Sequence, residues 1–275
     1  MKGSWIFSFA VLVAVAVLVN LVSGAVLTNT LALAGTEASS VAKASIFSLL
    51  GHRYVAEVGG TLVLILALWI TIARKRGRAA GLAGIALVLV FVEALLGRAS
   101  APLSPSVGFF HAILAEFLFA ILVAVAVFTW PGWEKKPEQV MDKGWPSLRS
   151  LSNTTVGALV LQVMLGAAFR HNLASVLWHI LGAFLVVVFG LCMLVIITQV
   201  PENRSLRPPV TIMGCLMGVQ ITLGMVLISF SQPTKHPDAL VYTVAAHVLV
   251  GASTLGLGVI TAMLVRRCVT PPAAG

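Results

Sequence analysis

The stretch LASVLWHILGAFLVVVFGLCMLVIITQV, Leu173–Val200, contains no Asp, Glu, Lys or Arg. About 20 apolar residues carry an α-helix across the hydrocarbon core of a bilayer, so this segment reads as a transmembrane helix with one anomaly, His179, near its start. Outward from it, apolar runs broken by charges, Pro or Gly/Ser clusters recur along the whole chain. They fall near Trp5–Leu27, Ile46–Ala73, Ala79–Leu96 and Val107–Trp130. After a hydrophilic segment, Pro131–Ser150, they resume near Leu151–Phe169, Leu173–Val200, Val210–Phe230 and Ala239–Val265. The composition agrees, with 59% hydrophobic and 10% charged residues against roughly a quarter charged in a soluble domain. The expected fold is an all-α polytopic membrane protein of eight transmembrane helices, with no space for an extramembrane domain. The first run follows Lys2 as a secretory signal would, but it is long for a signal core and has internal counterparts, so it is read as a span.

The net charge of +9 would suit nucleic acid on a soluble surface, but in a membrane protein Lys and Arg mark the cytoplasmic loops. Lys2, Arg74, Lys75, Arg76, Arg78, Lys135, Lys136, Lys143, Arg149, Arg204, Arg207, Arg266 and Arg267 fall on one side, and Lys43, Arg53, Arg98, Arg170 and Lys235 on the other. This asymmetry places both termini in the cytoplasm, and nucleic acid is not expected as a partner. Cys192, Cys215 and Cys268 lie in or beside apolar runs, without the spacing of a zinc site or a disulfide framework.

A repeat organises the spans. Each odd-numbered span carries a polar residue four positions before a glycine: Asn20 and Gly24, Glu93 and Gly97, Gln162 and Gly166, Gln220 and Gly224. Each following span carries a histidine toward its outer end, namely His52, His111, His179 and His247, with a small residue four positions later, Ala56, Ala115, Ala183 and Gly251. Positions four apart share a helix face, so each imidazole has a low wall beside it on which a flat ligand can lie. Four spans per half give both halves the same orientation, a parallel repeat. The reading is two four-helix bundles, 1–135 and 151–275, joined by a cytoplasmic linker, 136–150.

An ionisable side chain inside a span is costly and normally faces the bundle interior. A lone histidine there is most simply a helix–helix hydrogen bond, but four at equivalent positions point to a shared task. Two histidines on facing helices hold a haem iron from both sides, and pairing within halves joins His52 to His111 and His179 to His247. Zinc or copper fits less well, because no Asp, Glu or Cys lies one turn away to complete a small-metal site. Arg53, Arg98 and Arg170 are the outer-side cations that can meet haem propionates, or they snorkel at helix ends. His171 and His236 are expected in outer loops, solvated.

The segments His52-Arg53, Gln162-Val-Met-Leu-Gly166-Ala-Ala-Phe-Arg170-His171, His111 and His247-Val-Leu-Val-Gly251 resemble the heme A synthase family over nearly the whole chain. The resemblance implies oxidation of a methyl group of heme O to a formyl group, making heme A for cytochrome oxidase. It further implies that His52 and His111 hold the substrate haem and that His179 and His247 hold a haem b that passes electrons. The expected setting is the cell's inner membrane, with the haem sites toward the extracytoplasmic face. Expected partners are the lipid bilayer, a heme O-producing enzyme and cytochrome oxidase assembly proteins.

Two departures from that family stand out. Its members usually have a glutamate three residues before the first histidine, where this chain has Leu49, and often a cysteine pair in the first outer loop, where Thr28–Ser45 has none. A carboxylate near the reacting methyl stabilises developing charge or handles protons. Glu57, Glu93 and Glu116 are the candidates to supply it, each weighed against a helix-packing role. Without it, the alternative is a non-catalytic haem b protein of the same fold, an electron-transfer subunit or a haem carrier. A transporter built from parallel repeats would place its polar residues at the midplane, whereas here they cluster outward.

Overall fold

The computed structural model describes residues 2–34, 40–74, 77–98, 103–142, 146–199, 205–230 and 237–270. Among these, eight helices account for nearly all of the chain: α1 Lys2–Ala34, α2 Ser40–Arg74, α3 Arg78–Gly97, α4 Pro105–Thr129, α5 Leu148–Arg170, α6 Val176–Gln199, α7 Arg207–Ser229 and α8 Pro237–Cys268. All eight are long and apolar enough to cross a membrane, and the chain is a multi-pass membrane protein. His236, Lys75, Arg76, Lys143, Arg204 and Lys235 lie outside the described residues.

In each consecutive set of four helices every helix packs on its sequence neighbours, and the fourth closes on the first: α1 with α4, and α5 with α8. The sets meet where α8 packs on α1 and α4, and α4 on α5. Lipid offers no hydrophobic drive between helices, so close approach relies on small residues. Ala79, Ala83 and Ala86 form one buried stripe on α3. At the junction of the sets, Gly256 of α8 receives the ring of Phe119, and a Cβ there would lie 3.2 Å from it. Gly258 receives Leu159 of α5. Large apolar side chains such as Ile72, Val88, Phe91 and Phe184 are exposed on the outer faces, as a lipid environment requires.

Several boundaries differ from expectation. At about 1.5 Å per residue α1 and α2 are each roughly 50 Å long, so they outrun the hydrocarbon core. The sixth helix begins at Val176 rather than Leu173, because the chain turns at Asn172, whose φ is 58°, and Leu173 and Ala174 return their N–H groups to the carbonyl of Ala168. The segment between the sets is more than a tether. After a 3₁₀ turn at Pro131–Glu134, strand β1, Val140–Met141, pairs in parallel with β2, Val269–Thr270, at the end of α8. Asp142 Oδ2 then accepts from Leu148 N at 2.7 Å, and Ser147 Oγ accepts from Ser150 N at 3.1 Å, so two side chains cap α5.

Candidate functional site

The glycine of each repeat unit makes room for the histidine of the next helix. A Cβ at Gly24 would lie 3.2 Å from His52 Cε1, at Gly97 3.6 Å from His111 Cε1, at Gly166 2.9 Å from His179 Cε1 and at Gly224 3.6 Å from His247 Cε1. Each ring thus lies on bare backbone, which directs it into the bundle. The structure brings the four rings together as two pairs. The centroids of His52 and His111 are 6.5 Å apart with planes at 86°, and those of His179 and His247 are 6.1 Å apart at 65°.

An imidazole nitrogen binds a first-row metal at about 2.0–2.1 Å and the ring centre lies about 1.1 Å behind it, so two imidazoles in line across one iron stand about 6.3 Å apart. Both observed separations fit. Among the described residues no cluster of three or more His, Cys, Asp or Glu side chains is placed to hold a metal ion, so the four ligands of a small structural ion are not assembled.

The outer nitrogens of the first pair are held by the preceding helix. Ser23 Oγ lies 2.8 Å from both Asn20 O and His52 Nδ1. When it donates to Asn20 O it accepts from a protonated Nδ1, the tautomer that leaves Nε2 for a ligand. His111 Nδ1 lies 2.9 Å from Glu93 Oε2, in an ion-pair contact whose alignment falls short of a hydrogen bond, and a carboxylate there also favours the Nδ1–H tautomer. The second pair differs. Gln162 Nε2 donates to His179 O at 3.1 Å and lies 3.1 Å from His179 Nδ1, and a half-turn of that amide would present its oxygen instead. His247 Nδ1 has no protein partner. One oxygen on each of Asn20, Glu93, Gln162 and Gln220 is buried without a protein partner, so both sites are polar and have acceptors to spare for water or a ligand.

The low wall expected beside the histidines is partly filled. At Gly251, the small residue expected beside His247, a Cβ would lie 3.1 Å from Gln220 Nε2, so that wall is filled from the preceding helix; at Gly182, one residue before the expected Ala183, Gln162 and Leu165 occupy the space.

The three carboxylates separate. Glu93 touches His111, Glu57 is exposed, and Glu116 is buried with Oε2 unpartnered. A step of five residues turns about 140° around a helix, which carries Glu57 and Glu116 off the faces of His52 and His111. Leu49 is half-buried one turn before His52. Arg53 and Arg98 are exposed, whereas Arg170 is half-buried and donates to Ala25 O of α1 at 2.9 Å, tying the two sets together. His171, expected solvated, is half-buried instead, and its ring packs so closely on Gly108 of α4 that a Cβ there would lie 2.5 Å away. Ser23 escaped the sequence reading although it stands within the first repeat motif, one residue before Gly24.

Fold and site together define a class: an eight-helix membrane protein carrying two facing pairs of half-buried histidines. The model of the COX15-CtaA family, cytochrome oxidase assembly protein, matches residues 38–179, just over half of the chain and including His52, His111 and His179. The chain belongs to this family, which implies a role in cytochrome oxidase assembly. No curated protein matches it.

Proposed function

We propose that this protein oxidises a methyl group of heme O to a formyl group, making heme A, with His52 and His111 on the substrate haem and His179 and His247 on a haem b. The single observation that carries the haem sites on which this reading rests is the pair of ring separations, 6.5 and 6.1 Å, each suited to one iron held between two imidazoles; the methyl oxidation draws on the family. A bound haem b supplies one-electron transfer. The remaining work falls to the chain. Ser23 fixes the tautomer of His52, and Glu93 acts as a positioning residue on His111, making its imidazole more electron-donating. With water as the oxygen source, taking a methyl to a formyl group releases four electrons and four protons, the electrons passing on to an acceptor outside the chain and the protons needing acceptors inside an apolar bundle. Glu116, buried on α4 with Oε2 unpartnered, offers a carboxyl inside the bundle as a proton site.

The distribution of basic residues supports an inner-membrane orientation with both termini cytoplasmic and the histidines toward the extracytoplasmic face. The equivalent packing of the two sets supports a duplicated bundle, 1–135 and 151–275, with 136–150 between. A heme O-producing enzyme and cytochrome oxidase assembly proteins are the partners this reading requires. The second reading, a non-catalytic haem b protein, draws on Leu49, which offers only apolar contact one turn before His52, and on the exposure of Glu57.

Chromatography of haems from cells supplied with heme O separates the two. The native chain is expected to make heme A, and Glu93→Gln to lower the yield about ten- to a hundredfold while haem stays bound, the range typical of lost second-sphere partners. A native chain that binds haem but makes no heme A, and gains no activity from Leu49→Glu, contradicts the enzyme and leaves the carrier.

A further inference from the structure

At the end of the bundle remote from the histidines, a cavity of about 800 Å³ is lined from α3, α4, the Pro131–Glu134 turn, α5 and α8. It draws together Arg78, Arg149, Arg266 and Arg267, and its lining contains no Asp or Glu. The tendency of basic residues to gather at one membrane face accounts for arginines at this level. It does not account for four of them converging on one cavity, where their charges repel.

Three of the guanidinium groups are held in place by neutral partners. Arg149 donates from Nε to Val269 O at 2.8 Å and from Nη2 to Arg266 O at 3.1 Å. Arg266 Nε donates to Asn153 Oδ1 at 3.2 Å. Arg267 donates to the carbonyls of Gly132 and Lys135 and stands 4.8 Å from the centre of the Trp133 ring. Carbonyl and amide oxygens orient these cations without cancelling their charge, and each guanidinium has five N–H donors, so donors remain for an anion. Arg78, at the first turn of α3, makes no hydrogen bond or ion pair with the described residues. Phe128 and Trp133 add an aromatic wall, which suits a molecule part charged and part apolar at the membrane boundary.

We propose that this cavity binds the phosphate headgroup of an anionic phospholipid, wedged between the two sets of four helices. The shared chemistry is a phosphate oxygen cluster met by arginine forks. The position at the ends of the spans, beside an aromatic wall, selects a lipid over free phosphate, as basic pockets between transmembrane helices do.

The test uses the full chain in phosphatidylcholine nanodiscs, supplied with phosphatidylglycerol or with inorganic phosphate, and reads bound lipid by native mass spectrometry and stability by thermal unfolding. Phosphatidylglycerol is expected to be retained in preference to phosphatidylcholine and to raise the melting temperature. Arg78→Gln, which breaks no hydrogen bond or ion pair among the described residues, is expected to weaken that preference about fivefold. Arg149→Gln should weaken it further, and if that variant fails to fold, Arg78→Gln alone decides. Equal retention of the two lipids, or a preference unchanged in Arg78→Gln, overturns the proposal. Inorganic phosphate raising the melting temperature as far as phosphatidylglycerol overturns the lipid assignment in favour of a soluble phosphate source.

Discussion

The four repeat glycines are not equivalent in the space they leave. At Gly97 and Gly224 a Cβ would rest 3.6 Å from the histidine, ordinary van der Waals contact, whereas at Gly166 it would lie 2.9 Å from His179 Cε1 and 3.2 Å from Nδ1. His179 is also held by Gln162, so its ring has little freedom to retreat. Gly166→Ala should therefore displace His179 and remove most of the haem signal of the second pair, while Gly224→Ala, on the same pair, should leave it nearly unchanged. Absorption spectra of the two purified variants check this, and equal loss in both would show that the glycines serve general helix packing. The same scale decides the carboxylates. Glu57 and Glu116 sit at identical spacing from their histidines, yet one is exposed and the other buried, because α4 packs on α1, α3, α5 and α8, whereas α2 packs chiefly on α1 and α3.

At the scale of elements, the contact between the end of α5 and the start of α4 turns on His171. Burial first, then the charges of Arg170 and His111, hold its pKa down to about 4, below the usual value of about 6.5. Because the folded protein favours the neutral ring, the contribution is fully present above about pH 6.5 and is lost as the pH falls toward 4. Thermal unfolding should therefore show a smaller loss of stability between pH 7 and pH 5 in His171→Gln than in the native chain, and an identical loss in both would contradict the packed, neutral histidine. The position of His171 was not legible in advance. A loop reading treats the residues after Arg170 as solvated, and only the turn at Asn172 folds the imidazole back onto Gly108. The eight spans and the pairing of the histidines were legible, because long apolar runs and a repeated polar-to-glycine spacing leave few alternatives. The β1–β2 clip was not, since a two-residue strand is too short to show a period. Its partners are far apart in sequence, Val140 with Val269.

Across the whole molecule, the histidine pairs sit toward one end and the arginine-lined cavity at the other, where α1 begins and α8 ends. The orientation proposed from the basic residues would put the arginine end in the cytoplasm. In a chain whose three cysteines are replaced, a cysteine at Ser104, the residue before α4, should react with an impermeant maleimide in intact cells, and one at Ser147, before α5, should not. The reverse pattern would move the histidine pairs to the cytoplasmic side. That the second histidine pair holds a haem b is decided by the absorption and pyridine hemochrome spectrum of the purified full chain produced with ample haem. A low-spin spectrum of bis-histidine b-type haem is expected, since two imidazoles on one iron leave no open position, and His179→Ala or His247→Ala should largely remove it. A fully helical protein without a Soret band, or a Soret band unchanged in both variants, would contradict it.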